Sequence, residues 1–201
     1  NSPCILNASN EIVVNAFLKE KISFLDMTKF IEESLYNAQN LMDSIDKKMN
    51  GVVLPGHLRS KVFHSLLHLS LEHFGSIVIL VKNRMNGSAY ALLRPQYEAV
   101  IRGLYFQNCA DQKEIELFIA GEDPYGLYTM IKKIDGKLDI DSFKNFYTLV
   151  KNVIHTYTHG GIEQLERRYT ENELVSNFTE NECISLIELS SNLARTSAIF
   201  S

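Results

Sequence analysis

The sequence predicts an all-α fold, and three observations carry that prediction. Apolar residues recur at helical spacing over most of the chain. Capping residues stand where those periodic stretches begin. Gly is 10 and Pro only 4 in 201 residues, too few breakers for a turn-rich β fold. There is no alternating strand pattern of useful length, no internal repeat and no low-complexity tract. The expected architecture is a helical bundle with short connections.

Each element follows from its own signals. Ile12, Val13, Ala16 and Phe17 form a compact apolar face, predicting a first helix over Ser9 to Lys19. Asp26 is placed to cap a second helix from Met27 towards Met49, with Phe30, Ile31, Leu35, Leu41, Met42 and Ile45 as its apolar positions. Gly51, Pro55 and Gly56 make a loop of Asn50 to Gly56. A third helix runs from about His57 to Arg84. It is apolar on most sides, as a central helix should be. Asn86-Gly87 is expected to end it, being tolerant of left-handed backbone. Ser88 then opens a fourth helix towards Cys109, kinked or started at Pro95. Asp111 with Glu114 reads as a capping box for a short helix ending near Gly121. Asp123-Pro124 reads as an N-cap followed by proline at the first helical position. Asp135 to Asp141 is polar and contains Gly136, so a loop is expected there. A helix from Ser142 to about Thr158 follows, broken by Gly160-Gly161. Thr179 with Glu182 is a second capping box, starting a last helix to about Ile199.

A chain of this length buries roughly 70% of its unfolded surface, enough for a core without disulfides or metal staples. Apolar residues are 45% and charged residues 22%, a globular composition. The net charge of −4 argues against a general nucleic-acid binder, which needs a basic face. The longest purely aliphatic run, Ile77 to Val81, is far short of the roughly 20 residues that span a bilayer, so no membrane association is expected. Cys4, Cys109 and Cys183 are odd in number and widely spaced, predicting free thiols in a reducing cytoplasm rather than a disulfide framework or a zinc site. The first residue is Asn1 rather than Met, as in a processed, tagged or truncated product.

The chemistry-bearing residues cluster by helical spacing. His64, His68 and Glu72 form one ridge, and His73 lies on the adjacent stripe. Arg94, Glu98 and Arg102 repeat the same i, i+4 spacing, and so do His155 and His159. Meeting in a bundle core, such ridges would make a polar pocket of Glu72, His73, Arg94, Glu98 and Arg102, with guanidinium groups to hold an anion. The plainer alternative for Arg94, Glu98 and Arg102 is an intrahelical salt-bridge ladder. His155-x-x-x-His159-Gly160-Gly161 places an imidazole at a helix end where close backbone approach is allowed. No metal site is expected, because H-E-x-x-H and Glu-x-x-His spacings are missing. No cofactor is expected either, because G-x-G-x-x-G and the P-loop are missing, and G-x-S-x-G is absent too. Tyr90, Tyr97, Tyr105 and Phe106 read as core, and Arg167-Arg168 as a solvated basic pair.

Two family resemblances cover different parts of the chain. Ile5-Leu6-Asn7-Ala8-Ser9-Asn10-Glu11, Ala16-Phe17-Leu18, Lys21 to Asp26 and Ile31-Glu32-Glu33 resemble part of the C-terminal region of 1-deoxy-D-xylulose-5-phosphate reductoisomerase, an enzyme of isoprenoid biosynthesis. In that family this piece is helical scaffold, and the NADPH and metal sites lie in parts with no counterpart here. From about Leu35 onward, Ser70 to His73, Asn86 to Ala89, Leu93-Arg94-Pro95-x-x-Glu98, Ile101 to Leu104, Thr158 to Gly161 and Arg167-Arg168 resemble an uncharacterised family of small bacterial helical proteins near the HEPN bundles. That resemblance implies a HEPN-like bundle over residues 36–201, with residues 1–35 as an extra N-terminal segment.

Many HEPN proteins are metal-independent RNases with an Arg, a polar residue and a His a few positions on, often facing each other across a homodimer. Here the corresponding place holds Lys151-Asn152 with His155 or His159, Lys standing where the family has Arg. Three readings follow. The first is a homodimeric binding, defence or toxin–antitoxin module without a complete catalytic motif. The second is an RNase using His159 and His155 with Lys151 or Arg102 on the phosphate. The third is a non-catalytic fragment or fusion related to the reductoisomerase.

Overall fold

The computed structural model describes residues 24–54, 56–139 and 141–200, and their side chains except those of 24–29, 149, 153, 154 and 163. The expected first helix, Ser9 to Lys19, lies outside the described residues, as does Cys4. Eight helices are seen in the described residues: α1 Phe24–Met49, α2 Leu58–Lys82, α3 Asn86–Asn108, α4 Gln112–Ile119, α5 Leu127–Leu138, α6 Ser142–Thr158, α7 Ile162–Glu166 and α8 Glu180–Phe200. Beyond them there is a single isolated bridge, Tyr169 to Leu174. The all-α expectation therefore holds for the described residues.

The centre of the bundle is α3. Leu93, Tyr97, Val100, Ile101, Leu104, Tyr105 and Phe106 are all buried along it. Burying each large side chain stabilises by roughly 1.5–3 kcal/mol, so this helix anchors the fold. Pro95 sits inside α3 without ending it. A proline there withholds one helical hydrogen bond, yet packing on every side keeps the helix continuous. α2 runs antiparallel beside α3, and Arg59 reaches across to donate Nη1 to the carbonyl of Phe106. α2 is also long and apolar enough, by length and composition, to cross a membrane. Its buried residues, Val62, Phe63, Leu67, Phe74, Ile77, Val78 and Val81, belong to the common core.

The turn between α2 and α3 differs from expectation. The left-handed residue is Arg84, at φ 60°, whereas Asn86 and Gly87 are buried and open α3. Arg84 donates its N–H to the carbonyl of Val81, and Met85 donates to Leu80, which closes α2.

α8 is tied to the centre by buried polar pairs. Gln96 Nε2 donates to the carbonyl of Ser190 at 2.9 Å, and Ser190 Oγ donates to Gln96 Oε1 at 2.7 Å. Ser197 Oγ donates to Ser70 Oγ at 3.0 Å. Both predicted capping boxes are present. Asp111 and Glu114 cap α4 reciprocally, and Thr179 and Glu182 do the same for α8. Leu127 follows Gly126, not Asp123-Pro124, as the start of α5. The expected loop of Asp135 to Asp141 is mostly helix, because α5 continues to Leu138 and ends on left-handed Asp139. Ile131 and Ile134 bury against the core and hold that turn helical.

α1 begins at Phe24, ahead of the expected Met27, and runs unbroken through residues 35 and 36. It buries Ala38 and Ile45 in the common core.

Candidate functional site

α6 is positioned from both ends. At its start, the buried carboxylate of Asp135 accepts from the N–H of Phe143 at 3.3 Å and of Lys144 at 2.9 Å. Asp141, the residue just before α6, makes no side-chain cap. A carboxylate from the preceding helix thus satisfies two donors that would otherwise be orphaned. Near the other end, Tyr157 stacks on Tyr90 with ring centroids 4.6 Å apart, and Tyr90 stacks on Phe178 at 5.6 Å. The Tyr90 hydroxyl donates to the carbonyl of Glu182 at 2.8 Å. Burial, with Glu182 nearby, pushes that phenol well above its ordinary range. The stack fixes the last turn of α6 against α3 and α8.

His155 and His159 stand on that fixed turn, exposed, with their rings edge-to-face at 4.7 Å. Lys151 lies one turn earlier on the same ridge and is also exposed. Gly160 takes φ 65°, and Gly161 leads into α7. A Cβ on Gly161 would overlap Cγ2 of Thr156 and lie 3.2 Å from its Cα, so the chain can turn this tightly only with glycine.

The contact that gives the cluster its chemistry comes from α3. Arg94 Nη1 lies 2.8 Å from His159 Nε2, and Arg94 Nε donates to Glu98 Oε1 at 2.7 Å. A guanidinium has no lone pair, so Nε2 of His159 must accept. His159 is therefore neutral in this contact, with its proton on Nδ1. Arg94 and Glu98 are 29% and 24% exposed, so the pair is reachable from solvent.

The salt-bridge ladder expected along α3 is split. Arg94 pairs with Glu98, but Arg102 turns to Asp123, offering Nη1 to Oδ1 and Nη2 to Oδ2, the latter at 2.9 Å. That is why Asp123 does not cap a helix. No hydrogen bond, ion pair or ring contact joins Glu72 or His73 to Arg94, Glu98 or Arg102 among the described residues. Burial holds the His73 imidazole below its ordinary value, with Glu72 opposing. His64 returns its Nδ1 to the carbonyl of Ser60 at 2.7 Å and packs on Phe63.

Arg167-Arg168 reads in the sequence as one solvated pair, and the structure separates the two side chains. Arg167 pairs with Glu182 beneath the aromatic stack. The guanidinium of Arg168 lies over Gly87 of α3, where a Cβ would overlap Nη2 and stand 3.1 Å from Cζ. Among the described residues no group of three His, Cys, Asp or Glu converges as a metal site. Burial pushes the Cys109 thiol up and the Cys183 thiol to about 11, opposite to what a nucleophilic thiolate needs.

Residues 67–200, two thirds of the chain, match the model of a family of unknown function, DUF6988. The chain belongs to that family. Residues 1–51 match the DXP reductoisomerase C-terminal domain. Among curated proteins, 35 residues are 63% identical to the 1-deoxy-D-xylulose 5-phosphate reductoisomerase of Phocaeicola vulgatus, covering 17% of this chain and 9% of that enzyme. The enzyme of Bacteroides thetaiotaomicron is 55% identical over 38 residues, 19% of this chain and 10% of its own. The chain thus spans about a tenth of the length of the curated relatives it matches. No solved structure matches. The reductoisomerase match ends at residue 51, just past α1, and the DUF6988 match begins at residue 67, within α2, so α1 carries the reductoisomerase likeness while its side chains complete the core of the DUF6988 region.

Proposed function

We propose that the protein is a metal-independent RNase whose site is Arg94, Glu98, His155 and His159, with Lys151 on its flank. The observation that carries this reading is the 2.8 Å contact between Arg94 and His159. The local α6 sequence offers only Lys151 where an RNase of the HEPN kind has arginine. Arg94 supplies that guanidinium from a different helix. Its fork suits a phosphate, and Lys151 adds only a point charge.

The chemistry follows from the arrangement. A phosphate docking on Arg94 draws the guanidinium away from Nε2 of His159. The freed nitrogen takes the proton of a ribose 2′-hydroxyl. The 2′-oxygen forms a bond to phosphorus as the bond to the 5′-oxygen breaks. His155, protonated, gives its proton to that leaving oxygen. The products are a 2′,3′-cyclic phosphate and a 5′-hydroxyl end. Arg94 stabilises the charge that gathers on the phosphoryl oxygens between these events. The chain's overall charge of −4 opposes nonspecific binding, which fits a local site better than a long basic groove.

The test uses purified protein, a fluorogenic single-stranded RNA and a chelator throughout. Cleavage with cyclic-phosphate ends is expected, falling by about 10²–10⁴ in His159→Ala. A His159→Ala protein that cuts RNA as well as its parent overturns the reading. Binding without cleavage in the parent also overturns it, and leaves a non-catalytic RNA-binding module.

A further inference from the structure

The segment from His159 to Arg168 meets α3 at both of its ends. It starts where His159 meets Arg94 and ends where Arg168 covers Gly87. Gly87 and Arg94 are seven residues apart on α3, so they share a face about 10 Å apart along the axis. Two guanidinium groups therefore stand in line on one surface, with the two histidines beside one of them.

Arg168 differs from Arg94, Arg102 and Arg167. Arg94 has Glu98, Arg102 has Asp123 and Arg167 has Glu182. Among the described residues no carboxylate pairs with Arg168. Its backbone is nonetheless held on both sides: its N–H donates to the carbonyl of Leu165 at 2.9 Å, and its carbonyl accepts from Val175 at 2.9 Å. A long cationic side chain on fixed backbone, laid over a glycine and with no carboxylate partner among the described residues, is placed to receive an anion from solvent.

We infer that Arg168 holds a second phosphate of the same strand whose scissile phosphate docks on Arg94, so that the ligand is an oligonucleotide rather than a mononucleotide. The inference rests on the proposed RNase site and names its substrate class. Gly87 is part of the device. A methyl group there displaces only the tip of the Arg168 side chain, while the backbone of α3 gains helix propensity. Gly87→Ala should therefore remove the second contact without unfolding the protein.

The probes are a labelled 2′-O-methyl RNA of about 12 nucleotides, which cannot be cleaved, and a nucleoside 3′-monophosphate as competitor. Anisotropy is followed across a salt series. In Arg168→Ala the slope of log affinity against log salt for the oligonucleotide should shrink by about 0.7, the effect of one lost phosphate contact on a single strand. Oligonucleotide affinity should fall about tenfold, and the mononucleotide should compete as before. Gly87→Ala should reproduce this with an unfolding midpoint no lower than the parent's. Arg94→Ala should weaken both ligands. If the parent binds oligonucleotide and Arg168→Ala leaves its slope intact, the second contact is wrong and the RNase site stands. If Arg168→Ala weakens the mononucleotide equally, the site holds one phosphate and the inference fails. If the parent binds neither probe, the RNase reading falls and takes this one with it.

Discussion

Arg94 and Arg102 are the same residue on the same stripe of α3, two turns apart, and the bundle uses them in opposite ways. Arg102 meets Asp123 with both ends of its fork, and its guanidinium also lies 5.9 Å from the Phe118 ring centre. The hydrogen bond it donates to Asp123 raises the guanidinium above its ordinary value, with burial opposing. Nothing about that pair asks for a ligand: its charge is matched, and its geometry is the bidentate one. Arg94 splits its fork between a carboxylate and a neutral imidazole. A better acceptor than imidazole, such as a phosphate oxygen, can take the second arm. The lesson is that spacing on a helix selects a stripe, while the neighbouring helices decide which member of the stripe is closed and which is open.

The largest expected effect tests that division directly. Arg94→Ala should lower RNA cleavage by at least about 10²-fold, the scale of losing a preorganised charge donor. Its stability should shift by less than about 0.5 kcal/mol, as for an exposed i, i+4 pair. Arg102→Ala should do the reverse. Cleavage should stay within about threefold, because no reacting group depends on it, and the unfolding free energy should fall by about 1 kcal/mol. Equal losses of activity in the two variants would erase the distinction.

A second, smaller effect concerns how the open end is held. Asp135 is buried and donates nothing; it accepts from two N–H groups at the start of α6. Asp135→Ala should cost about 1–2 kcal/mol, the usual range for a lost cap. The Asp123 side of the molecule does not depend on this helix. Cleavage should therefore drop in Asp135→Ala while the Arg102–Asp123 pair, read by the acid response described below, stays intact. Thermal or urea unfolding with parallel cleavage assays checks both halves.

How much of this was legible in the sequence depends on whether the decisive partner was local. The capping boxes Asp111/Glu114 and Thr179/Glu182, the bounds of Ser142–Thr158 and the i, i+4 ridges are short-range features, and they read correctly. Asp123 misled because Asp-Pro before an apolar stretch looks like a cap, while its partner Arg102 is 21 residues away. Asp135 reads as loop in the sequence because its polarity is visible there and its role as a cap for the next helix is not. Arg94 reads as one member of a wider set with Glu98, Arg102, His73 and His159, and its pairing with His159 in particular is not legible, since no periodicity spans the 65 positions between them. Arg168 over Gly87 had a faint signal: an unneeded glycine in the first turn of a long helix asks what lies against it.

The smallest expected effect sharpens the closed end of the comparison. The hydrogen bond from Arg102, reinforced by its charge and opposed by burial, holds the Asp123 carboxyl below its ordinary value of 3.8. A carboxyl with a depressed folded value contributes stability that is complete above the unfolded value and is lost as pH falls through the folded one. Unfolding takes up a proton at Asp123 in that window, so the urea midpoint should slope upward with pH from the acid side of 3.8 and level off above it. Asp123 is 49% exposed, so solvent screens the pair and the effect stays small. In Asp123→Asn this part of the slope should vanish. Burial pushes the Glu114 carboxyl up, but it is held low by hydrogen bonds from the Asp111 N–H and the Tyr105 and Tyr125 hydroxyls together with the Lys133 charge. Its share of the slope is common to both proteins and drops out of the difference. Added salt should narrow the gap between the two curves, because an exposed ion pair is screened over about 10 Å at 0.1 M. Parallel acid curves for Asp123→Asn and its parent would mean that the pair is not closed, and that Arg102 is as available to a ligand as Arg94.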